Sequence, residues 1–295
     1  MDDRDPRGRG RPRRPLLTPG TVGPRLSRRD DRPEGASPGA LGRLAPMATA
    51  LITGASAGLG VEFAWQLATG HHDLVLVARD TDRLERLAHQ IRSAAGVDVE
   101  VLGADLSDRE QTEVVAERLR STASPVSLLV NNAGYAVHDS FVAGDVAAQE
   151  ASLDVMVRAV LVLSQAAAGA MRSRSRGAIL NVSSVAALTA SGTYSAHKAW
   201  VRTFTEGLAV DLRGTGVTAT ALCPGLTRTE FHERAQLDYS AFPGVAWLDA
   251  GAVVSAALRD VRRGAVISTP SIRYRVAAGL LRLAPRSVVR AAEGR

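Results

Sequence analysis

The chain has 295 residues, 45% of them hydrophobic, which is enough apolar material for one large core or two small ones. Its single cysteine excludes an intramolecular disulfide framework and fits a reducing, cytoplasmic setting. The formal charge of +6 is concentrated in residues 1–46, where 11 Arg face 6 Asp or Glu, so the rest of the chain is nearly neutral. A nucleic-acid enzyme carries its basic patch on the folded domain, so no nucleic-acid partner is expected.

Residues 1–46 are rich in Arg, Pro and Gly and lack hydrophobic periodicity. Such a segment cannot bury enough surface to fold alone, and it reads as disordered, or as a mis-assigned start with translation beginning at Met47. No apolar stretch follows Arg13-Arg14, as a twin-arginine export signal would require. Asp2, Asp3 and Asp5 argue against a transit peptide.

From Ala48 onward, apolar strand-like runs alternate with amphipathic stretches. Strands are predicted at 48–53, 73–78, 97–102, 126–131, 178–182, 217–222 and 265–267. Helices are predicted near 58–69, 80–95, 107–121, 145–172, 192–213 and 249–262. Strands apolar on both faces and separated by helices imply a parallel sheet covered on both sides. Right-handed crossovers then give a doubly wound, Rossmann-type α/β fold of seven parallel strands, a single domain over residues 47–270. Nowhere does an uninterrupted apolar run approach the ~18 residues of a membrane span.

The first strand runs into Thr53-Gly54-Ala55-Ser56-Ala57-Gly58-Leu59-Gly60 and then a helix. Glycines allow a tight turn and a close approach to a pyrophosphate, while the helix N-terminus supplies N–H donors. The spacing is G-x-x-x-G-x-G rather than the commoner G-x-G-x-x-G. Gly54, Ser56, Gly58, Leu59 and Gly60 are therefore candidate cofactor contacts. Arg79 follows the second strand, where an acidic residue would bond a ribose 2′-hydroxyl and an Arg favours a 2′-phosphate. NADP(H) is thus expected over NAD(H), although the neighbouring Asp80 leaves NAD(H) open.

Of 36 Lys and Arg residues only Lys198 is lysine, and Asn occurs only at 131, 132 and 181. Pressure toward GC-rich codons explains the scarcity. A lysine surviving that pressure suggests a place where a compact ammonium matters and a guanidinium fails.

Together the glycine run, Asp105-Leu106, Asn131-Asn132-Ala133-Gly134, Ser183-Ser184, Tyr194-x-x-x-Lys198 and Cys223-Pro224-Gly225 resemble the short-chain dehydrogenase/reductase family. Each follows a predicted strand or opens the next helix, in the family's order, and the resemblance covers about residues 48–270. It implies a Ser184–Tyr194–Lys198 catalytic group acting on a small carbonyl or alcohol substrate, in a homodimer or homotetramer. It also implies that Asp105 and Leu106 lie near the adenine and that Asn132, Ala133 and Gly134 lie beside the cofactor. Pro224, Gly225, Thr227 and Thr229 would lie near the nicotinamide and phosphates, with Tyr194 and Lys198 also touching the cofactor.

The chemistry suits these residue types. A Tyr hydroxyl that donates a proton near pH 7 needs its pKa lowered about three units from ~10. Lys198, one helical turn after Tyr194, supplies part of that preference. A Ser hydroxyl stabilises charge developing on the substrate oxygen, and either Ser184 or Ser183 is placed to do so. Cys223 reads as a small core residue, and His71-His72 as a solvated turn without a metal-ligand pattern. The family usually has an Asn in the helix after the fourth strand, where this chain has Met156. A thioether cannot replace amide donors, so a cofactor-binding scaffold with weak or no turnover is the alternative reading.

Residues 226–248 hold several of the chain's few aromatics, including Phe231, Tyr239, Phe242 and Trp247, together with Leu237, Pro243 and Val245. They read as a substrate lid over an apolar pocket. Residues 271–295 form an amphipathic helical tail with regularly placed arginines. The favoured reading docks it on its own domain or on a partner subunit, and the alternative lays it on an anionic membrane.

Overall fold

The computed structural model describes residues 48–137, 141–230 and 243–293. The tail 1–46 lies outside the described residues, as do Phe231, Leu237, Tyr239 and Phe242 of the expected lid. In chain order, β1 (Thr49–Thr53) leads to α1 (Gly58–Thr69), β2 (Leu74–Ala78), α2 (Thr81–Ala95), β3 (Val99–Gly103), α3 (Arg109–Arg120) and β4 (Val126–Asn131). There follow α4 (Val146–Leu153), a π-helical segment (Asp154–Arg158), α5 (Ala159–Arg172), β5 (Gly177–Val182), α6 (Gly192–Asp211) and β6 (Val217–Leu222). The chain then forms α7 (Ala250–Arg262), β7 (Ile267–Ser268), α8 (Ile272–Leu283) and α9 (Arg286–Glu293).

All seven strands are parallel, in the order β3-β2-β1-β4-β5-β6-β7. The two-residue side-chain period splits each strand between two cores. Ala50, Ile52, Leu76, Val130 and Leu180 face Phe63, Leu84, Ile91 and Val254 from α1, α2 and α7. Leu51, Val75, Val77, Leu129 and Ile179 face Val115, Leu119, Leu163 and Met171 from α3 and α5. The order reverses between β1 and β4, whose C-terminal ends open the crevice where such sheets bind ligands.

Three features depart from the sequence expectations. The predicted helix 145–172 contains the π segment, a device often found at functional sites. Taken whole, Val146–Arg172 is long and apolar enough to cross a membrane, but its Met156, Leu163 and Met171 are buried in the domain core, as in the central helix of an α/β domain. His72 is not a solvated turn residue. It is buried, its Nδ1 lies 2.8 Å from the Ala48 carbonyl, and burial lowers its pKa.

The scarce asparagines share one region. Asn131 Nδ2 donates to Asn181 Oδ1 at 2.9 Å and to Ser164 Oγ at 3.1 Å. Asn181 Nδ2 donates to Thr205 Oγ1 at 2.9 Å. This buried ladder ties β4 to β5, α5 and α6 beneath the crevice, where an apolar isostere would leave the remaining partners unsatisfied.

Candidate cofactor and catalytic cleft

A cleft of about 950 Å³ opens at the C-terminal ends of the strands, at the upper end of the size range of ligand pockets. Its walls include Gly54, Ser56, Gly58, Leu59, Arg79, Asp105, Leu106, Asn132, Ala133 and Gly134. They also include Ser184, Tyr194, Lys198, Pro224, Gly225, Thr227 and Thr229. Gly60 does not line it. A Cβ there would overlap the Gly54 carbonyl oxygen, so Gly60 is the packing contact that lets α1 close on its own preceding turn.

At one end of the cleft, Gly54 and Gly58 adopt left-handed conformations, with φ of 64° and 55°. Ala57 caps α1 without a side-chain hydrogen bond; Gly60 N–H donates to the Ala57 carbonyl at 3.1 Å, and the N–H groups of Gly58 and Leu59 ahead of it are placed for an anion. By contrast α2, α3, α4 and α7 are capped by Asp80, Asp108, Asp145 and Asp249. The turn is stapled from β4: Asn132 Nδ2 donates to the carbonyls of Thr53 at 3.0 Å and Gly54 at 3.2 Å. A Cβ on Gly54 would come within 2.8 Å of Ala133 Cα. Asn132 therefore shapes the phosphate-sized turn through its side chain.

Arg79 lies 3.7 Å from Asp105 and its side chain is 72% exposed, so it is free to turn toward an anionic group. Burial pushes the Asp105 pKa up, but Ser107 N–H and Oγ–H donation and the Arg79 charge outweigh it and hold the group below the usual carboxylate range. Arg83, which composition does not single out, also lines the cleft and forms a double hydrogen bond with Glu230 at 2.9 and 3.3 Å.

At the other end, α6 presents Tyr194 and Lys198 one turn apart. Lys198 Nζ sits 5.7 Å from the centroid of the Tyr194 ring and donates to the Val182 carbonyl at 2.9 Å. Lys198 is buried, and that burial brings its pKa down to about 8. The two adjacent serines differ. Ser183 is buried and spends its hydroxyl on the Lys198 carbonyl at 2.7 Å. Ser184 is half-buried, and its Oγ accepts from Ala186 N at 3.1 Å, which leaves the hydroxyl proton available for a ligand.

Met156 lies fully buried in the π segment. A Cβ on Gly134 would sit 3.3 Å from Met156 Sδ and 3.4 Å from Lys198 Nζ, so the thioether and the ammonium both border Gly134. Cys223 is buried with its pKa raised by that burial, which makes a thiolate nucleophile unfavourable.

Tyr274 is the wall residue that local patterns could not reveal. Its ring packs on Gly225, its hydroxyl donates to the Ala246 carbonyl at 2.8 Å, and it accepts from Leu226 N at 3.1 Å. The C-terminal segment thus completes the cleft.

The lysine gives a pH signature with a definite sign. Unfolded, it keeps its proton to about 10.5; folded, to about 8. Between those values the unfolded chain binds more protons, so the folded state gains stability as pH rises through the window. Denaturant titration without cofactor should show the native protein gaining on Lys198→Met across that range. A pH-independent difference would mean the ammonium is not buried.

The sequence matches the family model described as short chain dehydrogenase over residues 48–240. It is 34% identical to an uncharacterized oxidoreductase of Staphylococcus saprophyticus over 183 residues, 61% of this chain and 78% of that protein. Among solved structures it is similar to a short-chain dehydrogenase from Sphingobium yanoikuyae in complex with NADPH. That match has 35% identity and a TM-score of 0.73, covering 79% of this chain and 93% of the other. A bulky-bulky ketone specific alcohol dehydrogenase from Comamonas testosteroni matches at 29% identity and TM-score 0.70, over 82% and 96% of the two chains. A short chain dehydrogenase/reductase from Burkholderia phymatum in complex with NAD matches at 26% identity and TM-score 0.70, over 79% and 92%.

Proposed function

The chain belongs to the short-chain dehydrogenase family and is an NAD(P)-dependent oxidoreductase, and we propose that it interconverts a ketone or aldehyde and an alcohol on a lipophilic small molecule, with NADP(H) preferred. The observation that carries this reading is one cleft holding both an uncapped helix N-terminus beside Arg79 and the Tyr194–Lys198 pair beside Ser184.

The residues present fit a dinucleotide. The left-handed Gly54 and Gly58 and the start of α1, which has no side-chain cap, give one end of the cleft a tight turn with backbone donors for a phosphate. When bound, the nicotinamide supplies or accepts the hydride. The chain's part is proton transfer and positioning. Tyr194 donates the proton to the carbonyl oxygen in reduction, and the Lys198 ammonium favours the phenolate that results. Ser184 donates a hydrogen bond to the substrate oxygen where negative charge develops. Ser183, committed to the Lys198 carbonyl, positions α6. Half-buried Tyr135 and Tyr274 and apolar Val155, Val185 and Leu226 line the same cleft, which supports a lipophilic substrate. The name of the Comamonas testosteroni relative, a bulky-bulky ketone specific alcohol dehydrogenase, supports carbonyl–alcohol chemistry. A panel of carbonyls and alcohols assayed with NADPH and NADP⁺ tests the reading; no turnover on any of them, with cofactor still bound, would favour the scaffold reading that Met156 motivates.

Cofactor choice has its own test. Arg79→Ala should shrink the ratio of NADPH to NADH affinity by about 5- to 30-fold, the worth of a charge-assisted pair of about 1–2 kcal/mol. Equal affinities in the unmodified protein would defeat the NADP(H) assignment.

A further inference from the structure

The outer face of α8 carries a pattern that the cleft does not explain. Ile272, Val276, Leu280 and Leu283 are 70%, 59%, 65% and 85% exposed. At 3.6 residues per turn they fall within an arc of about 80°, and scattered exposed residues would not align so. Arg273 borders the stripe on one side, and Arg275 and Arg282 border it on the other. Arg286 and Arg290 continue the basic series, and residues 271–291 contain no Asp or Glu.

This stripe is not needed to hold the helix in place. The inner face is anchored by Tyr274 on Gly225, Leu226 and Ala246. The following helix is anchored by buried Val289 and by Arg286, which donates to the carbonyls of Leu188 at 3.0 Å and Thr189 at 3.3 Å.

We propose that this stripe docks the protein on an anionic lipid surface, with Ile272, Val276, Leu280 and Leu283 entering the headgroup–acyl boundary and Arg275 and Arg282 pairing with lipid phosphates, while Arg273 on the other border donates to the Val245 carbonyl at 2.6 Å. An apolar strip bordered on both sides by cations whose stems extend alongside it is the arrangement that such a boundary accepts. Pairing of the stripe with itself in a second copy would set arginine against arginine, with no acid in the segment to compensate. Because the inner face of α8 forms part of the cleft wall, docking would bring the cleft close to the bilayer.

The test is co-sedimentation of the full chain with phosphatidylcholine vesicles, with and without phosphatidylglycerol. The protein should bind the anionic vesicles and not the neutral ones, and a fraction should stay bound at about 0.5 M NaCl, where exposed charges are largely screened. The double substitution Leu280→Glu with Leu283→Glu should lower binding about tenfold or more, with an unchanged thermal midpoint because both side chains are exposed. The Arg-rich residues 1–46 are present in both proteins. Binding that survives the double substitution would therefore belong to them and overturn the proposal, as would no binding to anionic vesicles. If the unmodified protein ignores vesicles and the double variant falls from dimer to monomer in light scattering, the stripe is an interface between copies and the proposal is likewise overturned.

Discussion

Tyr194→Phe should reduce kcat by about 10²- to 10⁴-fold, the usual worth of a positioned general acid, while NADPH affinity stays nearly the same. The ring and its place beside the Lys198 ammonium, 5.7 Å from the ring centroid, are retained; only the proton is lost. Lys198→Arg should also impair turnover. The lysine is buried and its ammonium donates to the Val182 carbonyl, and a planar guanidinium does not offer the same compact point charge there. Met156→Asn refines the result. An amide near Gly134, which Lys198 also borders, would add donors where the thioether has none, so turnover should hold or rise. Activity undiminished in Tyr194→Phe would remove Tyr194 from the chemistry, whatever happens to cofactor binding.

Gly60→Ala should destabilise the domain by about 1–3 kcal/mol, the range for forcing atoms into a packed site. The new Cβ would overlap the Gly54 carbonyl oxygen and press on Ala55 Cα. Both are backbone atoms, so no side chain can swing aside. For a domain of this size the thermal midpoint should fall by roughly 2–12 °C. Cofactor affinity should fall with it, because α1 would tilt off Gly54, whose carbonyl Asn132 also holds. Gly96→Ala is the control. Its φ is positive, at 65°, unlike that of Gly60, and nothing lies within 4 Å of the added Cβ, so only backbone strain of about 1 kcal/mol is expected. A loss at Gly60 no larger than the strain cost at Gly96 would show that packing of α1 on its turn does not require the glycine.

Much of the protein is legible in local patterns because the interactions behind them are local. Apolar runs of five or six residues separated by 3.6-period stretches report parallel strands and covering helices, and the sheet forms with small shifts at strand ends. The glycine run is legible because a tight strand-to-helix turn needs left-handed backbone, and Tyr194 with Lys198 because four residues make one helical turn. The lone lysine and the three asparagines stand out by scarcity, and the structure gathers them at and beneath the cleft.

What tertiary structure alone decided depends on partners far apart in the chain. Ser183 and Ser184 are indistinguishable by spacing. Closure of β5 against α6 gives the first its acceptor on Lys198, 15 residues away, and leaves the second at the cleft. His72 is buried because the Ala48 carbonyl meets it across 24 residues, which overrides the exposure its turn setting suggests. Gly60 reads as a cofactor contact from its motif, but helix packing turns it toward Gly54. The segment after residue 270 carries only an amphipathic signal. Tyr274 reaches Leu226 across 48 residues and Arg286 reaches Leu188 across 98. Periodicity measures which side of a helix is apolar, whereas the choice of what covers that side is made by the whole folded chain.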